Sequence, residues 1–324
     1  MARRALIVGI NHYDNLPGSS LQGAIPDALA VETAISRHHD GSPNYACRVL
    51  ISSLDSPVSR PVLRDELNNL FRSANDEVVF YFSGHGSVTA NGGYIVTQDA
   101  QLNDIGFPMD EILNLANAAR EREVIIVLDC CMSGSMGNPQ VLQGDGSYQR
   151  SYLDQNVTIL AASRHNEMSM EISGQGIFTS LLVDALEGGA ADMQGKVTLP
   201  SIYAHIEGAL GAWEQRPIFK TYTTEVSVIR NAEPKIDAAV LRKLPTIFPS
   251  AESLLQLDPS YEYDKIPVTE NQLTGWALKK YRDVGLLQIH SDHTDLFWAA
   301  EECGTVKLTR LGRHYWRLAN GGRI

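Results

Sequence analysis

Apolar residues in the first 230 positions fall into short continuous runs separated by segments with helical spacing. Residues 5–10, 48–51, 77–82, 124–128 and 157–161 are such runs, the third holding Val78-Val79-Phe80-Tyr81-Phe82 and the fourth Val124-Ile125-Ile126-Val127-Leu128. Runs this short, with little polar alternation, predict strands buried on both faces, as in a parallel sheet. Between them, residues 24–37 place Ala24, Ala28, Val31 and Ile35 at helical spacing, and residues 59–71 do the same with Val62, Leu63, Leu67 and Leu70. Further helices are expected over 109–120 and 176–187. Strands alternating with helices predict an α/β domain over 1–230, its mostly parallel sheet covered by helices on both faces. Chemistry in such a sheet gathers at the carboxyl ends of the strands.

Two stretches break the pattern. Residues 133–156, rich in Gly, Ser, Gln and Asp, follow a strand end directly and read as a long functional or cleavable loop. Residues 231–265 are punctuated by Pro234, Pro245, Pro249 and Pro259 and read as a linker with short helices. Beyond it, 268–284 is an amphipathic helix (Leu273, Trp276, Ala277, Tyr281, Val284) closed by Gly285. Strands are expected at 286–290, 305–308 and 315–318. A helix followed by a short sheet suggests that 266–324 is a small α+β, winged-helix-like module. There are no internal repeats and no low-complexity tracts.

Of the 324 residues, 44% are hydrophobic and 20% charged, which supports a large core and excludes global disorder. The net charge is −11. Residues 235–324 hold 12 basic and 11 acidic side chains, so the whole acidic excess lies in 1–234. That excludes a chain-wide basic footprint for nucleic acid. Four cysteines (Cys47, Cys130, Cys131 and Cys303) are too few for a disulfide scaffold and point to reduced thiols in a cytoplasmic compartment. The N-terminal apolar run stops at Asn11, too early for a secretory signal, and no 18-residue apolar stretch follows, so no membrane association is expected.

Two strand ends carry the informative chemistry. One run leads into Ser83-Gly84-His85-Gly86, another into Asp129-Cys130-Cys131-Met132-Ser133-Gly134. A histidine and a cysteine thus follow the carboxyl ends of two candidate parallel strands, both in glycine-containing turns. A free thiol is only roughly 3% thiolate at pH 7, and a nearby histidine can take its proton or hold the thiolate as an ion pair. The backbone N–H groups of Gly86 and Cys131 are candidates for an oxyanion hole.

With these motifs the sequence resembles the caspase/metacaspase superfamily of cysteine peptidases over roughly residues 4–230. Asp129-Cys130-Cys131-Met132-Ser133-Gly134 is similar to the metacaspase pattern Asp-x-Cys-x-Ser-Gly, and His85-Gly86 to the family's catalytic His-Gly. Leu6-Ile7-Val8-Gly9-Ile10-Asn11, Leu21-Gln22-Gly23 with Asp27-Ala28, Ala161-Ala162-Ser163 and Gly176-Ile177-Phe178-Thr179 are further landmarks in the family's order. Met132 departs from it, since metacaspases commonly carry His there. The resemblance implies a caspase-like fold, His85 as base, Cys131 rather than Cys130 as nucleophile, and cleavage of proteins after Arg or Lys. Asp27 and Asp129 then match the acids that hold the basic side chain, and Ser163 a position near that pocket. The competing reading of Asp27 is a helix N-cap after Pro26, and that of Asp129 a strand-end turn residue.

By loop position and charge, Arg150 is a candidate self-cleavage point, with Arg164 and Lys196 as competitors. No cofactor or metal is assigned, although Asp99, Asp104, Asp110 and Asp154 are acids that leave calcium open without a recognisable spacing. His12 lies on the active edge, and His38-His39 read as cations at a helix end. In the tail, Lys307, Arg310, Arg313, Arg317 and Arg323 occur with no acid between 305 and 324, interleaved with Tyr315 and Trp316. A protein-docking or autoinhibitory module is favoured over a wing that touches nucleic acid. Regulated proteolysis in stress or defence signalling is the role that the resemblance suggests. Other classes are a catalytically silent scaffold that binds partners and a nucleic-acid-binding regulator.

Overall fold

The computed structural model describes residues 3–72, 77–89, 92–119, 123–130, 153–162, 171–172, 175–210, 216–262, 266–290 and 295–324. The chain divides into two compact units, Met1–Ala191 with Lys196–Glu233, and Asp192–Gly195 with Pro234–Ile324.

The first unit opens with β1 (Arg3–Gly9), α1 (Ala24–Ser36), β2 (Ala46–Ile51), α2 (Arg60–Arg72) and β3 (Glu77–Ser83). Next come β4 (Gly86–Thr89), β5 (Gly92–Gln101), β6 (Asp104–Pro108), α3 (Met109–Ala118), β7 (Glu123–Asp129) and β8 (Val157–Ala161). It continues through β9 (Glu171–Ile172), β10 (Gln175–Gly176), α4 (Ile177–Asp184), β11 (Lys196–Thr198), α5 (Leu199–Ala209), β12 (Ile218–Tyr222) and β13 (Val228–Asn231). The central sheet runs β12-β8-β7-β3-β1-β2. Its pairs are parallel except β12 against β8.

The continuous apolar runs have a direct cause. Side chains alternate across a strand, and here both faces are covered. Leu6, Val8, Val78, Phe80, Phe82, Val124, Ile126 and Leu128 join one core with Leu63 and Leu67 of α2 and Ile112 and Leu113 of α3. Ala5, Ile7, Val79, Tyr81, Ile125 and Val127 join the other with residues of α1, α4 and α5, among them Val31, Leu182 and Ile202. Each fully buried Val, Leu, Ile or Phe contributes about 1.5–3 kcal/mol, and β3, buried along its whole length, is the spine of both layers. This is the expected architecture, a mostly parallel sheet between two helical layers.

One element is new. β4, β5 and β6 form a separate antiparallel sheet. Its strands are partly exposed and carry Gln98 and Asp99, so no continuous apolar run marks them.

The second unit holds α6 (Ala238–Leu241), α7 (Leu244–Ile247), β14 (Leu254–Gln256), α8 (Glu270–Asp283), β15 (Leu287–Ile289), α9 (Leu296–Glu301), β16 (Thr305–Leu308) and α10 (Arg310–Asn320). β14, β16 and β15 form an antiparallel sheet in that order. Phe248, Leu278, Tyr281, Leu286, Val306 and Leu308 are among its core. Helix α8 starts where Thr269 and Gln272 make a reciprocal capping box.

The strand expected at 315–318 is instead part of α10. Thr309 caps that helix by accepting from Gly312 N (3.0 Å), and Leu311, Tyr315 and Leu318 recur at helical spacing. Arg310, Arg313 and Arg317 therefore lie on a helix, and residues 315–318 form no wing.

Candidate active site

β3 and β7 pair in parallel from Glu77↔Glu123 to Ser83↔Asp129. Gly84 N–H then donates to Asp129 O at 3.3 Å, carrying the pairing one step past the last register pair. The two chains leave the sheet in step. His85 stands two residues beyond Ser83, and Cys131 two residues beyond Asp129. Cys131, Arg150, Arg164 and Ser163 lie outside the described residues. Cys130 is 1% exposed and belongs to the core that holds Phe82 and Leu128.

His85 is held from three sides. Its ring Nε2 is 2.7 Å from Ser19 O. A carbonyl only accepts, so Nε2 carries the proton and, in the neutral ring, Nδ1 keeps its lone pair. The backbone N–H donates to Tyr13 Oη at 2.8 Å, and the carbonyl accepts from Val96 N at 2.9 Å. The Tyr13 ring lies against the imidazole, with centroids 4.9 Å apart. Tyr13 in turn donates to Ile10 O at 3.1 Å, and burial pushes its phenol well above the usual range, so it stays neutral. The intervening Gly84 has no room for a side chain. A Cβ there would sit 2.9 Å from both Tyr13 Oη and the Phe82 ring.

Gly86 pairs with Ile95 in the β4–β5 ladder. In an antiparallel ladder bonded and non-bonded pairs alternate. The Val96–His85 bond makes the neighbouring Gly86–Ile95 pair the non-bonded one, which turns the Gly86 N–H away from β5.

Asp27 and Asp129 come together beside Gly176. Both are buried, 2% and 6% exposed. Asp27 Oδ2 accepts from Ser83 Oγ at 3.2 Å, and Gly176 N–H reaches both Asp27 oxygens at 3.2 and 3.3 Å. Asp129 Oδ2 accepts from Thr179 Oγ1 at 2.6 Å. That use of the Thr179 proton makes Tyr81 the donor in the 2.5 Å Tyr81 Oη–Thr179 Oγ1 contact. Burial, with the Asp129 and Asp27 charges beside it, raises the Tyr81 phenol far above its usual range, which suits a permanent donor. A Cβ on Gly176 would lie 2.7 Å from Asp129 Oδ2 and 3.2 Å from Asp27 Oδ2, so only the missing side chain keeps that space open. The N-cap alternative for Asp27 fails. Gly23 is the cap position of α1, and Asp27 N–H bonds to Gly23 O at 2.9 Å within the helix.

The remaining candidates scatter. His12 is exposed on the same edge, its backbone N–H donating to Ser52 Oγ at 3.2 Å. His38 is not a helix-end cation. Its Nδ1 accepts from Asn231 N at 3.1 Å, and burial, with Arg3 nearby, lowers its pKa. Asp99 Oδ1 accepts from Arg60 N at 3.0 Å, while Asp104 pairs with the Arg60 guanidinium. Among the described residues, no three His, Cys, Asp or Glu side chains converge as a metal cluster, and no helix is long and apolar enough to cross a membrane.

No curated protein matches the chain. Among solved structures, a Geobacter sulfurreducens protein from a structural-genomics programme is 17% identical with a TM-score of 0.49, covering 72% of this chain and 98% of its own. Caspase-1 from Spodoptera frugiperda is 12% identical with a TM-score of 0.48, covering 71% of this chain and 90% of its own. The family model of the caspase domain matches residues 2–229, through the whole six-stranded sheet and both strand ends described above. The chain belongs to the caspase-domain family.

Proposed function

We propose that the protein is a cysteine endopeptidase that cleaves polypeptides after Arg or Lys. The observation that carries this reading is the in-step exit of β3 and β7, which brings His85 and the chain leading to Cys131 off the same sheet edge. His85, with Nε2–H on Ser19 O, offers Nδ1 as the base. In the proposed reaction Nδ1 takes the proton of the Cys131 thiol, and the thiolate attacks the scissile carbonyl. The Gly86 and Cys131 N–H groups meet the oxyanion, each such donor being worth about 3–4 kcal/mol. The imidazolium then protonates the leaving amine as the C–N bond breaks, and His85 activates the water that hydrolyses the thioester.

The paired carboxylates of Asp27 and Asp129 support the choice of a basic side chain, since a guanidinium or ammonium there makes charge-assisted hydrogen bonds. Burial of Cys130 in the core supports Cys131 as the nucleophile. Ser163 flanks the pocket in this reading, Arg150 is the self-cleavage point, and residues 266–324 dock a protein partner. Regulated proteolysis is the role assigned to the whole.

The test is turnover of fluorogenic peptides ending in Arg, Lys or Asp, with and without calcium, by wild type, Cys131→Ala, Cys130→Ala and His85→Ala. Arg and Lys peptides are expected to turn over, with at least a thousandfold loss in Cys131→Ala and His85→Ala but not in Cys130→Ala. A preference for Asp would overturn the pocket, and undiminished turnover by Cys131→Ala would overturn the nucleophile. The same incubation reads self-cleavage, an intact chain beside normal peptide turnover excluding Arg150.

A further inference from the structure

We propose that Tyr13 is a positioning residue that, by holding the His85 backbone, keeps the imidazole where Ser19 O fixes its working tautomer. It rests on the reading of His85 as the base, and it adds a buried residue that acts through His85.

The loop after β1 is a closed clasp. Leu21 N–H bonds to Asn11 O at 2.8 Å across its base, Asn11 N–H donates to Ser52 Oγ at 2.9 Å, and Asp14 N–H donates to Gln98 O at 3.1 Å. From this one loop, Tyr13 takes the backbone of His85 and Ser19 takes its ring. The backbone contact is diagnostic. His85 O already accepts from Val96 N, and in a regular bonded pair His85 N–H would return to Val96 O. It goes to Tyr13 Oη instead. Tyr13 therefore stops the β4 ladder one residue short and fixes the direction in which the imidazole leaves the chain. Its ring, 4.9 Å from the imidazole, closes one side, and Gly84 provides the room that the phenol needs. With the backbone and Nε2 both tied, Nδ1 is presented without rearrangement.

Tyr13→Phe keeps the ring and removes only the hydroxyl. The freed His85 N–H is then able to complete the pair with Val96 O, which rotates the imidazole off Ser19 O. Protein labelled with 15N-histidine, read by long-range 1H–15N correlation and assigned by the signal lost in His85→Ala, is expected to show the Nε2–H tautomer in wild type. In Tyr13→Phe a mixture of tautomers is expected. kcat on Arg peptides is expected to fall about ten- to hundredfold with KM within twofold, since a displacement of about 1 Å costs rate rather than binding. A Nδ1–H tautomer in wild type overturns the proposal without any variant. So does a folded Tyr13→Phe with wild-type tautomer and kcat, and if His85→Ala is inactive in that case the peptidase reading stands alone. Undiminished turnover by His85→Ala removes both.

Discussion

Thr179 shows how a single hydroxyl connects the core to the paired aspartates. It receives a hydrogen bond from Tyr81, deep in the sheet, and donates one to Asp129. A hydrogen bond to a charged group is worth about 1.5–3 kcal/mol. Thr179→Val is therefore expected to lower kcat/KM for Arg peptides by roughly ten- to a hundredfold, with Thr179→Ser restoring most of it. A valine variant that is folded and keeps wild-type kcat/KM would remove Thr179 from the pocket. At this scale the sequence made His85, Asp27 and Asp129 legible, because charged or titratable side chains stand out in glycine-flanked turns and landmark motifs. Ser19 was not legible, since it acts through a backbone carbonyl that any residue possesses. Tyr13 gives no signal in the sequence beside the titratable His12, and only the fold reveals that the tyrosine is buried, at 6% exposure. Gly176 and Thr179 were visible as a motif, but their relation to the two aspartates depends on the folded path from α1 to α4.

The strands of the central sheet were legible as runs because burial on both faces leaves no room for alternation. The antiparallel β4–β6 sheet was not, and the four residues Tyr315-Trp316-Arg317-Leu318 imitated a strand inside α10. At the amino end of the sheet, opposite the edge that carries His85, elements meet through charge. Glu77 begins β3, receives the Arg3 guanidinium of β1 at 3.3 Å, and faces Glu123 of β7, which accepts from Ser227 Oγ. Burial, reinforced by Glu123 and only partly offset by Arg3, pushes the Glu77 carboxyl up to about 7 from an ordinary 4.5. A carboxyl whose folded value is raised favours the fold when protonated. Its contribution is full below about pH 4.5 and is lost as pH rises through about 7. Each unit is about 1.4 kcal/mol, so the full change is of order 3–4 kcal/mol, of which about 2–3 kcal/mol falls between pH 5 and pH 8. Denaturant unfolding of wild type and Glu77→Gln at pH 5 and pH 8 is the check. The stability of wild type relative to the variant is expected to fall by that amount between the two values, and a constant difference would mean that Glu77 ionises freely in the fold.

Across the whole molecule, two units with separate cores divide the charge unevenly. The acidic excess lies in 1–234 and residues 235–324 are nearly neutral. An acidic surface raises the local concentration of basic polypeptides, the substrate class that the proposed function gives to the paired aspartates. In the proposed reaction a thiol at Cys131, served by His85, accepts the acyl group of a basic residue. Covalent capture with a peptidyl-arginine acyloxymethyl ketone, followed by mapping of the modified peptide by mass spectrometry, puts that reaction to the test. One adduct on Cys131 is expected, with Cys47, Cys130 and Cys303 unmodified and with little capture by the matching peptidyl-aspartate reagent. The Cys47 thiol, pushed up to about 12 by burial, has almost no thiolate to offer near neutral pH. Capture on Cys130 or Cys303, or capture by the aspartate reagent in preference to the arginine one, would contradict the account.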